Sequence, residues 1–263
     1  MRRRISNGTR SVLRSNIGII NQLRLKRAVY LGLVDHYFEK MWNIYSPMDA
    51  LCEYVRSNTV IQNRTWLDHS LRDQSGVLLI SGHYGGIEYL TLSLSVLGYK
   101  PAIIARFKTA ELLKNSLTRA KLHNIKIINA NEPGVFFRAA RVLKEGRILI
   151  TLCDEFSHWI PCAKKTVEVF GAWTSQDKTL DLLHRRVNVP VCLGLMHRNK
   201  NGYQLAIHPL SVLPDESLGS LSWRLLEHFI LQNPGQWYQW HDVTGALKTY
   251  KEKSQQNLKE KPS

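Results

Sequence analysis

A histidine and a glutamate stand five residues apart in a glycine-rich segment, Ser81-Gly-His-Tyr-Gly-Gly-Ile-Glu88. The segment follows a short apolar run, Val77 to Ser81, which is typical of a buried strand, and it leads into a pattern with helical spacing. In open α/β sheets, ligands bind at the turns that follow the carboxyl ends of strands. The sequence therefore places a candidate site at this turn.

The turn could hold a general base together with the group that orients it. His83 would stand in the turn and Glu88 in the first helical turn, where the helix dipole favours a carboxylate. A carboxylate that accepts from one ring nitrogen of a histidine leaves the other nitrogen free to act as a base. The backbone N–H groups of Gly85 and Gly86 are candidates for binding an anion or an oxyanion. His83 and Glu88 are the predicted catalytic residues, and the alternative is that both are ordinary polar residues at a helix entrance.

The elements around this turn alternate between strand and helix. Such alternation predicts an α/β fold with a mostly parallel central sheet flanked by helices, preceded by an N-terminal helical, basic amphipathic segment. We divide the chain into this N-terminal segment (1–70), an α/β domain (71–245) and a polar tail (246–263). The predicted strands are 77–81, 101–105, 126–129, 148–153 and 189–195, with an added strand at 203–208, and the predicted helices are 88–97, 110–123, 136–144 and 175–186.

The charge of the chain indicates an anionic partner. Its 263 residues include 36 Lys+Arg against 21 Asp+Glu, a formal net charge of +15. The N-terminal segment is basic up to Asp35, the first acidic residue, and Leu13, Ile17, Ile20 and Leu23 fall at helical spacing within it. A basic amphipathic helix of this kind suits adsorption to an anionic membrane surface. The alternatives are a helix that packs on the domain with solvated charges, and an organellar transit peptide.

Several segments, in order along the chain, resemble one enzyme family. Gly82-His-Tyr-Gly-Gly-Ile-Glu88 resembles the Gly-His-Phe-Gly-Asn-Trp-Glu form of the His-x4-acid motif in the lipid A late acyltransferases (the lauroyl/myristoyl transferase family), within the lysophospholipid acyltransferase superfamily. The chain differs from this form at Gly86 and Ile87, in place of Asn-Trp. Further resemblances are found at Ala105-Arg-Phe-Lys108, Gly146-Arg-Ile-Leu-Ile-Thr-Leu-Cys-Asp-Glu155, Val167-Glu-Val-Phe-Gly171, Val187-Asn-Val-Pro-Val191 and Asn233-Pro-Gly-Gln-Trp-Tyr-Gln-Trp-His241.

The resemblance implies an O-acyltransferase that uses a His–Glu general base. It would move a fatty acyl group from an acyl thioester, carried by acyl carrier protein or coenzyme A, to a hydroxyl of a lipid or glycolipid. Arg106 is a candidate phosphate clamp, Asp154 would position the acceptor, and Arg119 and Lys121 are further phosphate candidates. The family implies a peripheral location at the cytoplasmic face of the bacterial inner membrane. We expect no metal or other cofactor.

Other functions fit the sequence less well. The strongest alternative is a basic nucleic-acid-binding protein, because the net charge and seven tryptophans could serve backbone contact and base stacking. An acyltransferase that modifies a non-lipid metabolite also stays open. Gly82-His-Tyr-Gly-Gly86 lacks the Gly-x-Gly-x-x-Gly spacing of dinucleotide enzymes, and the chain contains no Gly-x-Ser-x-Gly of serine hydrolases. The four cysteines are too widely spaced for a structural zinc site.

Overall fold

The computed structural model describes residues 19–72, 75–213, 215–241 and 243. The helices are α1 (Ile19–Tyr45), α2 (Met48–Asn58), α3 (Arg64–Ser70), α4 (Ile87–Val96), α5 (Ala110–Leu122), α6 (Val135–Lys144), α7 (Thr179–Val187) and α8 (Leu218–Gln232). The strands are β1 (Thr59–Gln62), β2 (Val77–Ser81), β3 (Pro101–Ala105), β4 (Lys126–Asn129), β5 (Ile148–Leu152), β6 (Pro161–Val169), β7 (Ala172–Asp177), β8 (Val191–Asn199) and β9 (Gly202–Pro209). Short 3₁₀ turns lie at Phe156–His158, Pro234–Gln236 and Gln239–His241.

Seven of these strands form the central sheet, in the order β1-β9-β8-β2-β5-β3-β4. All neighbours pair in parallel except β8 and β9, which form an antiparallel hairpin. The predicted α/β class with a mostly parallel sheet flanked by helices is confirmed. The site turn therefore follows β2, a strand from the middle of the sheet.

The central strand β2 is buried along its whole length, because helices cover both faces of the sheet. Successive side chains of a strand point to opposite faces. Leu78 and Ile80 accordingly belong to one apolar cluster, whereas Val77 and Leu79 belong to the other. This two-sided burial explains the unbroken apolar run in the sequence, and it holds the turn after Ser81 on a rigid base.

Several segments differ from the sequence prediction, and neither the strand β6 nor the helix α8 was predicted. A helix was expected from Ser175, but residues up to Asp177 form β7, which pairs with β6 in a separate two-stranded hairpin, and α7 begins at Thr179. In β7 the side chains alternate between buried and more exposed positions, a period of two that fits a strand and not a helix. The short strand β1 was not predicted, and it pairs with β9 at the edge of the sheet.

Some of the sequence predictions concern residues outside the described ranges. Leu13 and Ile17 of the basic N-terminal segment lie there, as does the polar tail from residue 246. The division of the chain at residues 70 and 245 stays a prediction. In the described part of the chain, no helix combines the length and apolar character needed to cross a membrane.

Helix α1 packs against the C-terminal part of the chain. Its buried face includes Val29, Leu33, His36 and Glu39. Gly32 on this face lies so close to the 3₁₀ turn at Pro234–Gln236 that a Cβ atom at Gly32 would stand 1.5 Å from the Gly235 carbonyl oxygen. The contact brings the helix backbone against the segment that adjoins the site turn.

Candidate active site

The topology of the sheet brings His83 and Asp154 together. Strands β2 and β5 are parallel neighbours, and Ser81 at the end of β2 pairs with Leu152 at the end of β5. His83 and Asp154 each follow two residues later, so both side chains leave the sheet at the same edge. Two segments that are 71 residues apart in the sequence therefore build one site.

Asp154 is the hydrogen-bond partner of the His83 ring. The distance from His83 Nδ1 to Asp154 Oδ1 is 2.8 Å. The other carboxylate oxygen, Oδ2, accepts from the backbone N–H of His83 at 2.7 Å and from the indole N–H of Trp237 at 2.8 Å. An ionised carboxylate can only accept, so Nδ1 carries the ring proton of neutral His83 and Nε2 is the basic nitrogen.

The electrostatics of the pair favour a charged complex. The Asp154 side chain is fully buried, whereas 16% of the His83 side chain is exposed. Burial opposes the charged imidazolium, but the Asp154 carboxylate and its hydrogen bond outweigh this effect and raise the pKa of His83 above its usual 6.5. Burial likewise opposes the charged carboxylate, yet His83 and the N–H groups around it lower the pKa of Asp154. The site thus holds an ionised Asp154 that stabilises the imidazolium.

Glu88 stands in the first turn of a helix, as the sequence predicted, but its nearest ionic partner is His36 and not His83. It lies in the first turn of α4, and its Oε1 atom is 3.8 Å from Nε2 of His36 on α1. Burial lowers the pKa of His36 to about 3, so this imidazole is neutral at physiological pH. Burial also raises the pKa of Glu88. The carboxylate that hydrogen-bonds His83 is therefore that of Asp154, which was expected to position the acceptor. Glu88 acts on His83 only through space, and its negative charge contributes to the raised pKa of His83.

The amide groups of the two turn glycines are already paired. The N–H of Gly85 donates to the Gln236 carbonyl at 2.7 Å, and the N–H of Gly86 donates to the Met196 carbonyl at 2.9 Å. The expectation that these two groups would bind an anion or oxyanion is corrected accordingly. Glycine is required at position 85 for another reason: its φ is +55°, and a Cβ there would stand 1.8 Å from the Met196 carbonyl oxygen.

His83 and Glu88 line a common cavity of about 620 Å³. Sites of this size, from about 300 to 1,000 Å³, are typical of small-molecule binding. The cavity extends from Ala105 at the carboxyl end of β3 to Ile125, just before β4, and so runs along the parallel strands. Apolar side chains from α4, α5 and the sheet form most of its inner wall, among them Ile87, Leu92, Ile103, Leu112, Ala120 and Ile127. His83 and Glu88 therefore lie in a cavity whose wall is largely apolar.

The three predicted phosphate-binding residues are placed differently from one another. Arg119 lines the cavity, where its guanidinium donates to the Ile44 carbonyl at 2.7 Å and lies 3.2 Å from Met48 Sδ. Arg106 is exposed, with Nη1 3.5 Å from the Ala130 carbonyl oxygen. Lys121 is exposed on α5 and is not among the described residues that line the cavity. The structure thus brings only Arg119 of these three to the cavity wall.

The C-terminal segment 236–238 completes the site. Trp237 forms an antiparallel bridge with Tyr84, and the N–H of Tyr238 donates to the His83 carbonyl at 3.3 Å. The ring of Tyr238 meets His83 edge to face at 5.1 Å and stacks on His36 at 3.5 Å. Sequence reasoning did not assign these residues a role, although the 233–241 segment was one of those that resemble the acyltransferases.

Comparison with known proteins gives the family. The profile of the bacterial lipid A biosynthesis acyltransferases matches residues 45–242, which include the turn, Asp154 and the 236–238 segment. The chain belongs to the bacterial lipid A biosynthesis acyltransferase family. It is therefore an acyltransferase, and the family implies a lipid acceptor and an acyl donor. No individually curated protein matches the sequence significantly. In this acyltransferase, within the ranges that the structure describes, no group of three or more His, Cys, Asp or Glu side chains has an arrangement that could hold a metal ion.

The pairing of His83 with Asp154 predicts the effect of two substitutions on its titration. In the wild-type acyltransferase we expect the His83 pKa above 6.5. Asp154→Asn removes the hydrogen-bonded charge and leaves burial as the main influence, so the His83 pKa should fall. Glu88→Gln removes a charge that acts only through space, and the pKa should fall less. NMR titration of the histidine ring protons, with His83 identified from the spectrum of His83→Gln, measures these values; a larger effect of Glu88→Gln would contradict the assignment.

Proposed function

We propose that the protein is an O-acyltransferase that moves a fatty acyl group from an acyl thioester to a hydroxyl of a lipid or glycolipid acceptor. The observation that carries this proposal is the His83–Asp154 pair, whose histidine lines a largely apolar cavity. A thioester of acyl carrier protein or of coenzyme A would serve as donor, and the reaction needs no further cofactor. The apolar wall of the cavity suits an alkyl chain.

In the proposed mechanism His83 acts first as a base and then as an acid. Nε2 takes the proton of the acceptor hydroxyl, and the oxygen forms a bond to the thioester carbonyl carbon. The carbon–sulfur bond of the tetrahedral intermediate then breaks, and the imidazolium returns the proton to the leaving thiolate. Asp154 keeps the ring in the required tautomer and stabilises the imidazolium between these steps.

Two charged side chains on the cavity wall have different roles in this proposal. Glu88 adds negative potential near His83 and so helps to stabilise the imidazolium. Arg119 would contact a phosphate of the acyl donor or of the acceptor through the guanidinium N–H groups that do not contact Ile44 or Met48. Arg106 and Lys121, both exposed, would attract an anionic carrier or lipid from solution.

Substitution of the base tests the proposed chemistry. His83→Ala should lower the transfer of a labelled acyl group from an acyl thioester by about 10²- to 10⁴-fold, because loss of a general base has this effect. His69→Ala, on an exposed histidine of α3, is the matched control and should leave transfer unchanged. Near-normal transfer by a folded His83→Ala protein would contradict the assignment of the base.

We further propose that the apolar part of the cavity holds the acyl chain. Leu92, Ala120 and Ile125 lie on the wall of the cavity that His83 also lines. Burial of a methylene group in such a site contributes about 0.8 kcal/mol, roughly a fourfold effect on affinity. The depth of the cavity should therefore determine which chain lengths are accepted.

Narrowing the cavity should change the preference for chain length. Ala120→Leu adds volume to the cavity wall, and each methylene that it excludes should reduce the rate ratio between long and short donors by about fourfold. The measurement is the ratio of kcat/KM values for a series of saturated acyl thioesters. Ala110→Leu, at the exposed start of the same helix, is the control. An unchanged ratio in Ala120→Leu would place the acyl chain elsewhere.

A lipid acceptor would reach the cavity from a membrane surface, and α1 carries an exposed apolar face that could contact one. Exposed apolar side chains recur along it at intervals of three and four residues, with between 43% and 74% of each residue exposed. Arg24 and Arg27 continue the same spacing toward the N-terminus. We call the apolar set the α1 stripe; it consists of Leu31, Val34, Phe38, Met41, Trp42 and Tyr45.

We propose that the α1 stripe lies in the interface of an anionic bilayer, with the protein bound peripherally at the cytoplasmic face of the bacterial inner membrane. Trp42 and Tyr45 are of the types enriched at membrane interfaces, and each nearby basic residue adds about 1 kcal/mol of attraction to anionic lipid. Asn43 and Ile44 on the same helix line the cavity. A lipid hydroxyl held at this interface would thus be close to the cavity that contains His83.

Binding to lipid vesicles tests the α1 stripe. The double substitution Phe38→Ser with Trp42→Ser should weaken partitioning onto phosphatidylglycerol-containing vesicles by tenfold or more, since burial of one large apolar side chain contributes about 1.5–3 kcal/mol. Sedimentation with vesicles measures this loss. Phe137→Ser, at an exposed phenylalanine of α6, is the control and should bind like the wild type. Unchanged partitioning, or a stripe that instead mediates concentration-dependent dimerisation, would contradict the proposal.

A further inference from the structure

The side chain of Trp237 contacts the catalytic pair from the C-terminal end of the chain. Its Nε1–H donates to Asp154 Oδ2 at 2.8 Å, on the oxygen that does not contact the His83 ring. An indole N–H can only donate, and a buried carboxylate can only accept while ionised. The contact is therefore a charge-assisted hydrogen bond in a site that water does not reach, because the Asp154 side chain is fully buried.

The indole is itself held rigidly. Trp237 is fully buried, and its ring packs on Phe170, Trp223 and Trp240 at centroid distances of 5.5, 6.2 and 5.0 Å. Its backbone forms the bridge to Tyr84, next to His83 in the site turn. A donor fixed from both its ring and its backbone can determine where the carboxylate points.

The carboxylate needs such a donor because its terminal torsion is soft. Rotation about the last bond of an aspartate is broad and roughly two-fold, so one hydrogen bond leaves the carboxylate plane poorly defined. Oδ2 accepts from the backbone of His83 and from Trp237, that is, from two separate segments of the chain. With both donors in place, Oδ1 is directed at Nδ1 of His83.

We infer that Trp237 is a positioning residue for the acyl transfer, whose indole N–H holds Asp154 in the orientation that fixes the tautomer of His83. The inference rests on the proposed function in so far as His83 is the base. It also assigns a role to the second carboxylate oxygen, which the general-base mechanism leaves unused.

Trp237→Phe is the decisive variant, because it keeps an aromatic ring and removes the donor. The lost charge-assisted hydrogen bond should lower kcat by about 10- to 100-fold with little change in KM. Without the indole donor, Asp154 should be directed less firmly at Nδ1 of His83 and should stabilise the imidazolium less. The pKa of His83 should therefore fall, and the acidic limb of the activity profile should move to lower pH.

Trp240→Phe is a matched control. Trp240 is also buried in the same aromatic cluster, and its Nε1–H donates to the Pro234 carbonyl at 2.9 Å instead of to Asp154. Both variants lose one ring and one hydrogen bond, so a purely structural role would affect them alike. We expect Trp240→Phe to retain both the wild-type kcat and the wild-type His83 pKa.

The two readouts separate this inference from the proposed function. The His83 pKa is measured by NMR without any substrate, so it tests the role of Trp237 independently of acyl transfer. If the wild-type protein transferred no acyl group in the assay, that result would count against the proposed function alone. A fall in the His83 pKa in Trp237→Phe but not in Trp240→Phe supports the inference, whereas a rise would mean that Asp154 keeps its orientation without the indole. Equal pKa values in the wild type and both variants would overturn it.

Discussion

The carboxylate of Asp154 is buried away from water, so its negative charge must be met by donors within the protein. A buried charge without partners would be strongly destabilising. Three N–H groups donate hydrogen bonds to the Asp154 carboxylate: the ring and the backbone of His83, and the indole of Trp237. The requirement ties together the turn after β2, the end of β5 and the C-terminal segment, and it is the constraint on which the site depends.

The packing of the outer segments follows from this requirement. The 236–238 segment can supply its donor only if it lies along the site turn, where the Gly85 N–H donates to Gln236. Helix α1 in turn covers this segment, with Gly32 against Gly235 and the His36 ring stacked on Tyr238. The same helix carries the exposed apolar face on its opposite side. One element therefore contacts both the neighbourhood of the catalytic pair and the surface at which a lipid would arrive.

The sequence predicted the sheet better than it predicted the site, for a physical reason. Strands such as β2 and β5 are buried on both faces and read as apolar runs, whereas the β6–β7 hairpin lies outside the main sheet and gives a weaker signal. His83 was found from its turn, but local spacing favoured Glu88 as its partner because the two are five residues apart. The partner of His83 is instead Asp154, which the register between β2 and β5 brings alongside it. The position of Asp154 directly after a predicted strand was the one feature of the sequence that could have indicated this. Nothing local to Trp237 indicated its contact with a carboxylate 83 residues away.

The tautomer of neutral His83 is the most direct test of whether Asp154 orients the ring. It is read from the ¹⁵N chemical shifts of the two ring nitrogens of His83 in the full-length protein, at a pH above the pKa of this residue. The hydrogen bond to Asp154 predicts a proton on Nδ1 and an unprotonated Nε2 that is available to a substrate hydroxyl. A neutral ring protonated on Nε2 would contradict it, because that nitrogen could then not accept a proton from a substrate hydroxyl.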